Sequence, residues 1–448
     1  MKAVLVSLIL FVCVGMAKGD DPLAQLAAIL PQEHSEHRSN APRMTLEELE
    51  GAALQNNPAI RVAVRRISLA ESRVSGAGAL DDPSLQYWSW QVPLRKPWDL
   101  NQSQQYLRIS QNFPGPGKRA LRSQVAGQEI DIAKAELEVQ KREVVAKVRN
   151  AYYALLRNDD EFRLHEQHVA LIRQGLESAR IKYTVGRVPQ QDVLKAQIAF
   201  TRLVEHVITF HEEGQLARVT LNALMGRDPS TPLEVTGEYV LPTSLPSLLE
   251  LERIALDSRP ELAAVAATIR QSETKTKLAE KGYTPDFSVT AGYQLNPAGS
   301  AFRNTYASDL TVTLPWLNRR KHESEIAEAN AQVEVGRSEL DSQRTMVFQE
   351  IQEALIRAES ARRRAALYKD TLRPQAQATL KATVAAYETD RADYLNLLDS
   401  QDTVLGVEFS YYRALAEFDQ RLADLELAIG SPVSRDPKTV KNQNEAKQ

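Results

Sequence analysis

The chain is written twice at a nearly constant offset. Leu46, Leu49, Ala53, Leu54 and Pro58 recur 202 residues later as Leu248, Leu251, Ala255, Leu256 and Pro260. Pro83 and Leu85 fall on Pro285 and Phe287 at the same offset. Pro114, Lys118, Arg119 and Ala126 recur as Pro315, Arg319, Arg320 and Ala327 at an offset of 201, and Tyr183, Arg187, Leu194, Gln197 and Gly226 recur as Tyr387, Arg391, Leu398, Gln401 and Gly430 at 204. Chance likeness between Ala-rich helices does not hold register through helices, strands and loops alike. Two copies of one supersecondary unit are therefore expected, residues 45–226 and 248–430, joined by an equatorial linker at 227–247.

Each copy predicts the same order of elements. Thr45 with Glu48 three residues on is a capping box before a short helix. Pro58 suits the first turn of a second helix, expected to run to about Ala79. Strands are predicted at 83–91 and 104–113, with partners at 285–295 and 305–314. Phe287, Val289, Ala291, Tyr293 and Leu295 share one face by alternation, as do Leu310, Val312 and Leu314 on the returning strand and Leu107, Ile109 and Phe113 in the first copy. Trp88 and Trp90 fall on the opposite face, which a bulge would correct.

Coiled-coil hairpins follow, at 117–226 and 318–430. Nothing breaks a helix from Gly117 to Lys182, ~66 residues or ~100 Å. Val148, Leu155, Phe162, Val169, Leu176 and Tyr183 repeat every seven residues along it. The second seam is mixed (Ala151, Asn158, His165, Ile172, Ala179), unlike a simple two-stranded zipper. In the second copy Pro374 is expected to kink the long helix. The return helix and the helix from Pro58, laid end to end, nearly match the long one, so one long helix should pair with two shorter ones.

Residues 1–19 read as a signal peptide: Lys2, an apolar run from Ala3 to Val14, then small residues allowing cleavage after Ala17 or Gly19. The single cysteine, Cys13, lies inside it, and Val12 is not the small residue that lipidation requires before its cysteine. An N-terminal linker (20–44) and a C-terminal tail (431–448) flank the repeats. The charge is balanced, 55 basic against 58 acidic residues, so no nucleic-acid partner is indicated.

Strands of this length suit an outer membrane. Four of them cannot close a barrel, and open edges in lipid would leave backbone groups unpaired at several kcal/mol each. Protomers must then share one barrel. Spacing alone leaves eight strands from two chains or twelve from three.

The fold class expected is thus mainly α with a small β part: a long α-helical barrel of coiled-coil hairpins plus a transmembrane β-barrel shared between protomers. Over nearly its whole mature length the chain resembles the TolC-type outer-membrane efflux proteins. The resemblance is carried by the first hairpin tip (Tyr183, Val185, Gly186, Arg187, Asp192, Val193, Leu194), by the second (Tyr387, Thr389, Asp390, Arg391, Leu395, Asn396, Leu397, Leu398, Asp399), and by the junction from Asn112 through Pro114, Gly115 and Gly117 to Lys118 and Arg119. That junction is most similar to the metal-efflux branch.

The resemblance implies a homotrimer in outer-membrane lipid, and an exit duct passing substrates from an inner-membrane pump and a periplasmic adaptor to the outside. It implies adaptor docking at Val185, Gly186 and Arg187 and at Thr389, Asp390 and Arg391. Thr389 and Asp390 replace the family's usual Val and Gly, so the two tips need not dock identically. It also implies a gate in which Tyr387 bonds Asp192, with Asp399 facing the narrowing mouth. The family's Arg partner falls near Ala392, beside Arg391.

Other motifs dissolve on inspection. Gly115, Gly117 and Lys118 lack the first Gly and the Ser/Thr of a phosphate loop, since Asn112 and Arg119 stand there. His165 and His168 are one residue short of zincin spacing, and His34 with His37 lies in the polar linker. No cofactor, metal site or catalytic set is indicated, so no enzyme is expected. The alternative is a periplasmic coiled-coil adaptor or structural protein without a channel. An adaptor should carry one hairpin flanked by β-domains, and a scaffold should lack the paired strands.

Overall fold

The structure, a computed structural model, describes residues 42–389 and 391–433. The signal-peptide, tail, Cys13, His34, His37 and Asp390 assignments lie outside the described residues. In chain order the elements are β1 (Arg43–Met44), α1 (Leu46–Asn56), α2 (Pro58–Ala77), β2 (Ser84–Trp90), β3 (Gln104–Phe113), α3 (Lys118–Thr184), α4 (Gln190–Leu224), β4 (Glu234–Val235), α5 (Leu248–Ser258), α6 (Pro260–Glu280), β5 (Phe287–Leu295), β6 (Asn304–Val312), α7 (Arg319–Leu367), α8 (Arg373–Glu388) and α9 (Tyr394–Ile429). Short 3₁₀ turns join strands to helices at Lys281–Tyr283 and Pro315–Asn318.

Local chemistry sets the ends. Thr45 accepts from the Glu48 N–H while the Glu48 carboxylate takes the Thr45 N–H, closing the capping box over α1. Pro58 and Pro260 open α2 and α6 at first-turn positions, where a missing N–H costs nothing. Gly430 ends α9 at φ 70°, a left-handed cap open to glycine.

The helices pack as one long element against two short ones. α3 lies against α4 at one end and α2 at the other, and α7 lies against α6, α5 and α9. Both seams of α3 are buried over most of their length, with Val169 and Ala151 partly covered and Tyr183 exposed near the tip. Val148, Leu155 and Leu176 are fully buried, and so are His165, Ile172 and Ala179 of the mixed seam. Asn158 satisfies its burial by donating to the Phe210 carbonyl at 2.7 Å.

The two halves meet along α3 and α9 through polar bonds. Arg413 donates to Glu161 at 2.7 Å, Asn150 to Asp424 at 3.1 Å, and Gln420 to the Asn150 carbonyl at 3.0 Å. The linker crosses this junction: β4 pairs in parallel with β1, and the Tyr152 hydroxyl donates to the Thr236 carbonyl at 2.9 Å.

At Pro374 the long helix of the second half does not break. A π-helical turn, Tyr368–Leu372, precedes the proline and α8 continues from Arg373. Wider i→i+5 bonding tolerates the missing N–H. The offset between the halves grows from 201 to 204 across this helix, and a π turn takes up extra residues.

The four expected strands form one antiparallel sheet in the order β2-β3-β5-β6, with β2 the shortest at 7 residues. Register is unbroken from Ser84↔Ser110 to Trp90↔Gln104, so no bulge shifts β2. One face collects Leu85, Tyr87, Leu107, Ile109, Tyr293 and Leu310. The other holds Arg108, Ser110, Ser288, Thr290, Gln294 and Asp309, and Trp88 and Trp90 belong to it. They are accounted for by a local cluster instead. Trp88 stacks on Tyr106 (4.9 Å between centroids) and meets Trp90 edge-on. The Arg108 guanidinium lies 5.8 Å from the Trp88 ring and 3.5 Å from the Asp309 carboxylate.

Candidate functional site

The hairpin tips carry the residues singled out above, and each is built by backbone chemistry. Past Thr184 the chain must reverse. The Gly186 N–H reaches the Tyr183 carbonyl at 2.9 Å and the Arg187 N–H reaches the Lys182 carbonyl at 2.9 Å, a Schellman-type closure. Gly186 has φ 71°, and a Cβ placed there would meet no heavy atom within 4 Å. The glycine therefore answers to backbone conformation, not to crowding. Val185 is left 64% exposed at the apex.

The second tip closes with a different set of side chains. The Arg391 N–H bonds the Ala386 carbonyl at 2.8 Å, the same five-residue reach. Thr389 turns its hydroxyl back to the Ala385 and Ala386 carbonyls, each at 3.1 Å. Asp393 caps α9 by accepting from the Asn396 N–H at 2.9 Å. The apex of this tip is polar where the first presents valine.

Asp192 sits in the first turn of α4, where the helix dipole favours a carboxylate, and it is buried. Tyr387 is half-buried and packs on the apolar cluster of Leu176, Ala196, Phe200 and Leu398. Its hydroxyl is hydrogen-bonded by the Lys182 ammonium, which also lies 4.5 Å from the ring centroid. Sequence reasoning missed Lys182. Its repeat counterpart is Ala386, so the duplication itself held the signal: Tyr183 and Tyr387 are equivalent, and only the first has a lysine before it.

Asp399 is exposed on α9, with Asp402 one turn further. Partial desolvation, then the neighbouring Asp399 charge, push the Asp402 carboxyl above the ordinary carboxylate range, and Arg202 pulls it back. Deeper in the same hairpins, His165 is fully buried beside His206 and Phe210, with ring centroids 6.3 and 5.7 Å away. Burial, then the His206 and His168 charges, lower its pKa to about 4, so it is neutral at physiological pH. Among the described residues no group of three or more His, Cys, Asp or Glu is arranged to hold a metal ion. Lys118, of the rejected phosphate loop, is buried and bonds Asp286 at 2.8 Å.

The chain sets a sheet with an apolar face and two open edges on helical hairpins of ~100 Å, an arrangement suited to anchoring in a membrane. Among the described residues no helix is long and apolar enough to cross a membrane. Known proteins agree. The profile described as outer membrane efflux protein matches residues 49–227 and again 251–431. The cobalt-zinc-cadmium resistance protein CzcC of Cupriavidus metallidurans is 22% identical over 395 residues, covering 88% of this chain and 91% of that one. Nodulation protein T of Rhizobium leguminosarum bv. trifolii is 21% identical, with 88% and 86% covered. Among solved structures, the channel CusC superposes with a TM-score of 0.71 at 17% identity (86% and 92% covered), and the outer membrane protein VceC of Vibrio cholerae with 0.69 at 18% (86% and 96% covered).

The chain belongs to the outer membrane efflux protein family. It is a TolC-type outer-membrane exit duct of a tripartite efflux system, with a long periplasmic helical barrel, and it is not an enzyme. The adaptor-or-scaffold alternative is set aside on the same finding. Members of the family work with periplasmic adaptors and inner-membrane pumps.

Proposed function

We propose that three copies of this chain close one twelve-stranded barrel in the outer membrane, and that the tunnel below it passes metal cations outward. The observation that carries the assembly is the open sheet. β2 and β6 are both edges, and the face bearing Leu85, Ile109, Val289 and Leu310 is exposed in the single chain. Lipid covers such a face, but an unpaired edge in lipid is costly, so neighbouring copies must pair β2 with β6. Cross-linking in native membranes should give a ladder ending at three. A conducting, membrane-inserted monomer would overturn the proposal.

In this reading the tips meet the partners. Val185, Gly186 and Arg187 offer a small apolar knob to the periplasmic adaptor, and Thr389 with Arg391 offers a polar one, to which Asp390 belongs by sequence. Asp192 and Tyr387 hold the mouth closed, and Asp399 lines it. Support for metal cargo comes from the junction at Pro114 to Arg119, similar to the metal-efflux branch, and from the relative named for cobalt, zinc and cadmium resistance. Deleting the gene should lower the zinc, cobalt or cadmium concentration that cells tolerate. Unchanged metal tolerance with lost tolerance to organic toxicants would reassign the cargo.

A further inference from the structure

The 3₁₀ turn that ends the sheet and begins α7 presents an arrangement the first half lacks. Trp316 and Leu317 are 54% and 75% exposed, and Arg319, Arg320 and Lys321 follow, all exposed. The turn at Lys281–Tyr283 packs on this one, bringing exposed Lys281 to the same rim. The Tyr283 hydroxyl donates to the Arg319 carbonyl at 3.4 Å, which holds the two turns together. Arg319 is answered by Glu323 at 2.6 Å and Lys321 by Glu325 at 3.7 Å, whereas Arg320 and Lys281 have no ion-pair partner among the described residues.

The first half shows that the fold itself does not need this. At the offset of 201, Gly115 and Pro116 stand where Trp316 and Leu317 are. Lys118 is buried on Asp286 at 2.8 Å, Arg119 donates to the Gly78 carbonyl at 2.8 Å, and Ala120 replaces Lys321. In that copy the equivalent cations are engaged by the protein itself, Lys118 buried on a carboxylate and Arg119 held to a backbone carbonyl at the surface. In the other they stand in solvent beside an exposed indole.

We propose that this turn is a binding site for an anionic phospholipid of the periplasmic leaflet, a proposal that rests on the insertion of the sheet in lipid. The apolar face ends at Val312 and Leu314, directly before the turn. An indole at that level has an apolar body for the acyl chains and an N–H tip for the headgroup region. The unpaired Arg320 and Lys281 charges sit just beyond it, where a lipid phosphate lies. Guanidinium and ammonium groups near an anionic surface attract it, each by a modest amount. The vertical order of apolar strand, tryptophan and cations matches the order of chain, glycerol and phosphate in one lipid molecule. A soluble partner has no reason to follow it.

The test uses the full-length protein reconstituted in vesicles of phosphatidylcholine, with brominated phosphatidylglycerol or brominated phosphatidylcholine added. The Trp316 signal is the difference between wild type and Trp316→Phe. Brominated phosphatidylglycerol should quench it at several-fold lower mole fraction than brominated phosphatidylcholine. Arg320→Gln with Lys281→Gln should weaken that preference by roughly fivefold per cation removed, and Arg320→Lys should keep it. Equal quenching by the two lipids, or an unchanged preference in the double variant, overturns the site. Displacement of the quencher by inorganic phosphate alone would also overturn it, leaving a free-phosphate site. Conductance is recorded on the same membranes. A conducting protein with unquenched Trp316 sinks the lipid site and leaves the duct standing, whereas lost conductance with unquenched Trp316 sinks both.

Discussion

Lys182, at the end of the first long helix, places its ammonium on the hydroxyl of Tyr387 and 4.5 Å from its ring, across the gap between the two hairpins. One side chain thereby ties the tip of one half to the tip of the other. Removing the hydroxyl in Tyr387→Phe keeps the cation over a ring but deletes a hydrogen bond to a charged group. Such bonds contribute about 1.5–3 kcal/mol when buried and less when half-exposed. Tyr387→Phe combined with Asp192→Ala should raise single-channel conductance in planar bilayers. Current equal to wild type would mean the closure lies elsewhere.

Gly186 offers a separation of shape from charge. Its positive φ costs an L-residue about 1–2 kcal/mol, but no neighbour obstructs a side chain. Gly186→Asn, tolerant of that conformation, should assemble normally on native gels and retain efflux. Gly186→Asp should assemble as well and lose efflux, because a charge would sit on the adaptor-facing knob. Normal efflux in an assembled Gly186→Asp protein would remove docking from this tip.

Asp399 and Asp402 are a turn apart on α9, and partial burial, helped by the Asp399 charge, raises the pKa of Asp402. A group with a raised pKa is protonated earlier as pH falls. Protonation of Asp402 should therefore weaken block by a trivalent cation added on the periplasmic side, starting above the ordinary carboxylate range as pH drops. Asp399→Ala should lose the block. Equal block in mutant and wild type would take Asp399 out of the lumen.

His165 makes a prediction about stability. Unfolded, the imidazole takes a proton near ~6.5; in the fold it resists until about 4. Between those values the unfolded chain binds more protons, so stability that is complete above the higher pH drains away as pH falls to the lower. The slope for one group is at most ~1.4 kcal/mol per pH unit. Urea midpoints from pH 7 to 4 should fall less steeply in His165→Phe than in wild type. Parallel curves would show that the buried ring does not set the acid limit.

Much of this molecule could be read before it was seen. The capping box at Thr45, the prolines opening α2 and α6, and the alternation along β3, β5 and β6 are local signals, each decided by residues within a few positions of one another. The heptad at Val148, Leu155 and Leu176 marked the buried side of α3 because a helix repeats its face regardless of what covers it. The same local logic failed where a second element intervened. Trp88 and Trp90 were on the polar face without a bulge, since Tyr106 and Arg108 on the neighbouring strand supply the stacking partners. At Pro374 the helix continues through a π turn that no local signal announced.

By itself, then, the sequence determined the duplication, the kinds and lengths of the elements, and which face of each is apolar, because periodicity and capping act within one segment. Only the tertiary structure decided that Lys182 meets Tyr387, that Lys118 is buried on Asp286, and that Arg320 has no ion-pair partner among the described residues. Those outcomes depend on how faces from distant segments are brought together. A pairing across 205 residues, as from Lys182 to Tyr387, leaves no mark in the spacing of either residue.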